Sequence, residues 1–191
     1  MLLRIKNMNR FKKIIKYLGI IIILTILFRG FLYRTSVNYL KIKIRPNIKL
    51  IDKKLIEEIN EQTENRTLSI EEIIKLSNRI TSKNLDFTFD KTSNNPNVIY
   101  ELKQANCIGY SSLFNSIGNH IIRKQKLTDK YEFVHLVGKL NVFGFNVHNF
   151  INSPFFRDHD YNEIKDKQTG KMKFVDPSLR DYLRIEYVTS E

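Results

Sequence analysis

The chain opens on a pattern with almost no polar interruption. Residues 17–28 read YLGIIIILTILF, bordered by Lys16 and Arg29, and 30–33 resume the apolar character. Twelve uncharged residues fall short of the roughly 20 that cross a bilayer core. Lys16 and Arg29 can extend outward along their own stems, and Ile14, Ile15, Phe31, Leu32 and Tyr33 lengthen the apolar part. The expected element is one membrane-spanning helix over 17–33, an uncleaved signal anchor, because Leu27-Phe28-Arg29-Gly30-Phe31 lacks the small residues of a cleavage site. A basic tail at 1–16 precedes it. Residues 34–66 read as a basic juxtamembrane connector, with Leu40, Ile42 and Ile44 alternating in an extended piece that Pro46 ends. A brief amphipathic helix is expected at 50–59.

A domain is expected over 67–191. Ser69-Ile70-Glu71-Glu72 is a capping box, and Ile70, Ile73, Ile74, Leu76 and Ile80 give a helical stripe to about Thr81. Leu85, Phe87 and Phe89 alternate with Asp86, Thr88 and Asp90 at strand spacing, and the Ser, Asn and Pro of 91–97 mark a loop. Tyr110, Phe114, Ile117 and Ile121 then predict a helix over 106–123 with Asn106 as its N-cap. Beyond Tyr131 the pattern is of strands: 133–139, then 140–151, where Phe143, Phe145, Val147 and Ile151 share one face and Asn146 and His148 the other. Ser153-Pro154-Phe155-Phe156 breaks the run. A hairpin follows, 159–165 and 171–176, turning at 166–170 and ended by Pro177. Helices followed by antiparallel strands make an α+β domain.

The formal charge of +12 suggests a nucleic-acid partner until it is located. Residues 1–54 hold fourteen Lys and Arg against Asp52 alone, whereas 55–191 hold eighteen basic and nineteen acidic residues. The basic excess belongs to the anchor and connector, so no nucleic-acid partner is expected. Positive charge before the span places the N-terminus in the cytoplasm and the domain outside it, and the basic residues after the span suit anionic lipid head groups.

The single cysteine, Cys107, falls in the first turn of the 106–123 helix. There the helix dipole and unpaired N–H groups favour thiolate, as a nucleophile requires. A lone cysteine is equally a small core residue, so the sulfur alone decides nothing. A thiol nucleophile also needs an imidazole to carry its proton and a third group to orient the ring. The hairpin offers both: a four-residue turn at 166–169 pairs Lys165 with Gly170, and that register sets His159 opposite Asp176 on one face. His148, on a polar strand face, is the alternative base. His120 points about 220° away from Cys107 around the helix, and His135 reads as structural. Gln104 is a candidate second oxyanion donor beside the N–H of Cys107, and Phe155, Phe156 and Tyr161 are candidates to line a cleft at His159.

Cys107 at a helix start, His159-Asp160-Tyr161-Asn162-Glu163-Ile164, and Phe174-Val175-Asp176-Pro177-Ser178, in that order, resemble the core of the transglutaminase-like superfamily. The chain departs from that pattern in having Tyr161 where the family often has Trp, and in a long aromatic stretch between Gly138 and His159. The resemblance implies a papain/transglutaminase-like domain with a nucleophile-bearing helix packed on an antiparallel sheet. It implies Cys107 as nucleophile, His159 as general base and acid, and Asp176 as orienting group. The implied reaction is acyl transfer on amide or peptide bonds of a protein or peptide substrate through a Cys thioester, either hydrolysis or transamidation. A non-catalytic module of the same fold at the membrane surface is the alternative. No cofactor and no metal are expected, since one cysteine and four scattered histidines form no ligand pattern.

Overall fold

The computed structural model describes residues 2–150 and 158–191, with side chains from residue 11 onward except that of His148. A long helix, α1 (Leu2–Ser36), runs without a break into the first strand, β1 (Val37–Arg45). Its segment Phe11–Ser36 is long and apolar enough to cross a membrane, and none of its most apolar stretch is buried in the protein.

Next come α2 (Lys53–Thr63), α3 (Ile70–Asn84), β2 (Asp86–Phe87), α4 (Pro96–Leu102), β3 (Gln104–Ala105) and α5 (Cys107–Lys124). The capping box of α3 forms as its sequence requires, with Ser69 and Glu72 exchanging side-chain and backbone hydrogen bonds. β2 and β3 form a separate two-stranded parallel ribbon. Then β4 (Tyr131–Val142), β5 (Phe145–Asn146), β6 (His159–Asp166), β7 (Met172–Val175), α6 (Pro177–Leu183) and β8 (Thr189–Ser190) complete the fold.

The main sheet runs β7-β6-β4-β1-β8, with β5 beside β4. It curls far enough for Val188, next to β8, to bridge to Phe174 on β7, so the sheet is nearly closed. One face and the enclosed side hold Tyr39, Leu136, Tyr161 and Val188. The other face packs on α5, which also meets α2, α3, α4 and α6. This central helix carries small residues where neighbours come closest, and a Cβ on Gly118 would run into the buried Phe133 ring. The main core gathers Ile73, Ile80, Phe114, Ile117, Ile121 and Phe133 around α5. The architecture is a mixed α+β fold with one N-terminal apolar helix.

Two expectations are corrected here. Residues 34–66 are not a connector: β1 pairs along its length with β4 and takes β8 on its other side, while α2 packs on α5. The buried side chain of β1 is Tyr39, and a bulge between Lys41 and Lys43 leaves Ile42 and Ile44 exposed. Alternation at 40, 42 and 44 therefore marked an extended piece, which the structure shows as the strand Val37–Arg45. The strand expected at 140–151 is not one strand. β4 continues to Val142, and Phe143 (φ 50°) and Gly144 (φ 83°) form a two-residue turn into β5. Positive φ at both central positions matches the right-handed twist of the flanking strands. Val147–Asn149 is a short 3-10 turn. Ser153, Pro154, Phe155 and Phe156, and with them the cleft-lining role expected of the two phenylalanines, lie outside the described residues.

Candidate active site

Cys107 is the first residue of α5, where its sequence neighbour puts it. Asn106 is the N-cap, its Oδ1 accepting from the N–H groups of Ile108 (3.1 Å) and Gly109 (3.5 Å). The side-chain amide of Asn106 donates to the carbonyl of Asp90, tying the helix mouth to the preceding loop. The cap engages Ile108 and Gly109 and not the N–H of Cys107, which stays at the mouth with the helix's positive end. The thiol is nearly buried, at 6% exposure.

α5 and β6 run alongside each other. The amide of Asn162 donates to the Ser111 carbonyl (3.1 Å), and that of Asn115 donates to Asn162 Oδ1 (3.0 Å). These buried polar contacts fix the lateral position of the helix on the strand. One turn before Ser111 lies Cys107, and the start of β6 is His159. The imidazole of His159 is close enough to Cys107 for the sulfur to favour its charged form. Its Nε2 lies 2.5 Å from Asp176 Oδ2, which leaves Nδ1 outside that bond.

The register differs from the expected one. Lys165 pairs with Met172 and Asn162 with Val175, so extending the ladder puts Asp176 across from Tyr161, not His159. The slip is two residues, an even number, so His159 and Asp176 still share a face and meet along the diagonal. Gly170 falls in the turn with φ 71°.

Asp176 is held from several sides and is 1% exposed. As N-cap of α6 its Oδ1 accepts from Leu179 N (3.1 Å) and Ser178 Oγ (2.7 Å). Its Oδ2 accepts from Tyr39 Oη (2.9 Å), and Tyr39 Oη in turn lies 2.7 Å from Tyr33 Oη on α1. Burial works against charge on both members of the pair. The mutual attraction of Asp176 and His159, with the bonds from Ser178 and Leu179, nevertheless holds the carboxyl below its ordinary value. Asp176 and Cys107 likewise outweigh burial at His159 and hold its pKa well above the ordinary imidazole value. The stable state is an ion pair.

A second buried cluster lies on the helix-facing side of the sheet. Arg45, from β1, donates through Nε and Nη2 to Asp160, and His135 Nε2 lies 2.7 Å from Asp160 Oδ2. Burial disfavours charge on Asp160, but hydrogen bonds from His135 and Arg45 prevail and lower its pKa. The Arg45 charge is near enough to feel Cys107. His135 is buried and engaged with Asp160.

The other candidates separate. Gln104 is exposed on β3, paired across the ribbon with Asp86. Tyr161 is fully buried, its hydroxyl 2.8 Å from Ser190 Oγ, so it packs beneath the site and does not line a cleft. His148 has its backbone in the Val147–Asn149 turn, and its side chain lies outside the described residues. His120 lies far along α5, with Lys49 and Arg123 nearby. Among the described residues no group of His, Cys, Asp and Glu forms a metal site.

No family model, no curated protein and no solved structure matches this chain.

Tyr33, Tyr39 and Ser178 were not singled out from the sequence. Ser178 was accessible, because Asp-Pro-Ser is an N-cap followed by proline at the first helical position. Tyr39 and Tyr33 had no local signal: 137 residues separate Tyr39 from Asp176. A cleft of about 520 Å³ opens beside His159 and Asp176, walled by Tyr33, Tyr39, Phe87, Phe89, Leu140, Leu179, Tyr182 and Leu183.

Proposed function

We propose that this chain is a membrane-anchored, transglutaminase-like thiol enzyme that transfers acyl groups through a thioester on Cys107. The observation that carries the reading is the convergence of three separate elements: His159 on β6 bonds Asp176 at the start of α6, and Cys107 at the start of α5 lies close enough to influence the imidazole. In the reaction, Cys107 Sγ attacks a carbonyl carbon and forms the C–S bond. The N–H of Cys107 at the mouth of α5 steadies the oxyanion. The bond to the leaving amine breaks as His159 delivers the proton to its nitrogen. Water, or a second amine, then attacks the thioester, giving its proton to His159, and the thiol is released. Asp176, braced by Tyr39, Ser178 and Leu179 N, is a positioning residue that keeps Nε2 engaged and Nδ1 aimed at sulfur.

The anchor is α1, with the basic N-terminal flank on the cytoplasmic side and the domain on the other. The test is the second-order rate of iodoacetamide alkylation of Cys107 in the full-length protein in detergent. It is expected to exceed that of a free model thiol near neutral pH and to drop about tenfold or more in His159→Ala. A rate equal to the model thiol and indifferent to His159 would leave a non-catalytic module of the same architecture.

A further inference from the structure

Nothing in the proposed reaction says what sort of acyl group enters, and the cleft beside His159 bears on it. Its size, about 520 Å³, suits a small-molecule ligand. Its polar side chains are all engaged with other groups of the protein. His159 and Asp176 bond each other, Tyr39 bridges Asp176 and Tyr33, Ser178 donates to Asp176, and Tyr182 Oη accepts from Phe87 N. What remains facing the space is hydrocarbon and aromatic ring. An extended peptide would have to leave its amides unpaired there, at a cost for each group. A hydrocarbon chain needs no partner.

The position of the cleft supplies the source of such a chain. One wall is Tyr33, in the last turns of the helix long enough to cross a bilayer. Arg29 on the same helix donates to the carbonyl of Leu183, at the other side of the mouth (2.7 Å). Helix and domain are therefore locked together with no linker, since β1 begins directly after Ser36. The rim residues Phe89, Tyr182 and Leu183 are 77%, 59% and 50% exposed. Aromatic and apolar side chains at the level where a spanning helix leaves the hydrocarbon are suited to the interface.

We infer that the cleft holds the hydrocarbon chain of a long-chain acyl substrate drawn from the membrane, aligning its carbonyl with Cys107. Resting on the thiol-enzyme reading, the acyl group is a fatty ester or amide of a membrane lipid. Cys107 Sγ bonds to the acyl carbon, the C–O or C–N bond breaks, and the leaving alcohol or amine takes the proton from His159. Phe87, on one wall of the cleft, belongs to the strand that pairs with Gln104 and Ala105, the residues that lead into Asn106 and Cys107.

The test uses full-length protein in detergent micelles and two alkylating probes, iodoacetamide and N-hexadecyl iodoacetamide, with the Cys107 adduct quantified by mass spectrometry. The readout is the ratio of long-chain to short-chain rate, compared between wild type and variants so that partitioning into micelles cancels. Leu179→Arg is expected to lower the ratio about tenfold, by placing charge in the cleft. Leu183→Lys, at a half-exposed rim position, is expected to lower it in the same direction. Ratios equal to wild type in both variants would overturn the acyl cleft. If iodoacetamide alkylation still depends on His159 in that case, the thiol-enzyme reading stands without it. If that dependence is also missing, the failure lies in the reading itself.

Discussion

Replacing Asp176 with asparagine separates the orienting role proposed for this carboxylate from its structural role. The carboxylate accepts from Leu179 N and Ser178 Oγ on one oxygen, and from Tyr39 Oη and His159 Nε2 on the other. In Asp176→Asn the amide oxygen can keep the first pair. The amide nitrogen then faces Tyr39 and His159 and can only donate. A neutral imidazole meets it by accepting at Nε2, which puts the ring proton on Nδ1, toward Cys107, where it cannot accept one from the thiol. The stability cost is the loss of bonds to a charged acceptor, about 1.5–3 kcal/mol. Asp176→Ala strands all its donors inside the fold and is expected to cost more, about 3–5 kcal/mol. A general base contributes on the order of a hundredfold or more, so the alkylation rate of Asp176→Asn is expected to drop at least about tenfold although the protein is folded. The assay pairs urea unfolding of the full-length protein in detergent, followed by tyrosine fluorescence because the chain has no tryptophan, with iodoacetamide kinetics from about pH 5 to about pH 9, the range in which imidazoles titrate. An Asp176→Asn protein that alkylates at the wild-type rate throughout would refute the orienting role of Asp176.

Two further outcomes follow from the same geometry. The raised His159 contributes stability that is fully present below the ordinary imidazole value of 6.5 and is lost as pH rises through its higher folded value. The depressed Asp176 contributes stability that is present above 3.8 and is lost as pH falls through its lower folded value. The urea midpoint should therefore be highest between these limits, and His159→Gln should flatten both flanks; identical pH profiles in the two proteins would remove the ion pair from the account. Gly118→Ala places a methyl against the buried Phe133 ring and should cost about 1–3 kcal/mol by overpacking, seen as a lower midpoint, whereas an unchanged midpoint would show that α5 can move off β4.

Much of the local structure is legible in the chain itself. The capping box of α3 and the N-cap that starts α5 at Cys107 depend on neighbours a few residues apart and form where their residues indicate, whereas the apolar helix runs beyond the expected 17–33 to cover Leu2–Ser36 and the hairpin ended by Pro177 forms with a shifted register. The shared face of His159 and Asp176 was also readable, because strand side chains alternate with period two and survive a two-residue error in register. The length of the turn was not readable, since Asp166 to Lys171 can close in more than one way and the register is shared with partners far along the chain, β4 beside β6 and Val188 bridged to Phe174. The position of β1 was likewise hidden. Its lysines and exposed isoleucines look like a connector, and only the distant Asp160 accounts for Arg45, as Asp176 accounts for Tyr39. Sequence therefore determined which residue types could perform thiol chemistry and on which elements they lie. Tertiary structure alone decided that His159 bonds Asp176 with Cys107 nearby, that Tyr39 bonds the carboxylate and Tyr33 bonds Tyr39, and that the apolar cleft opens beside the long apolar helix. Those contacts join parts of the chain whose separation leaves no periodic trace.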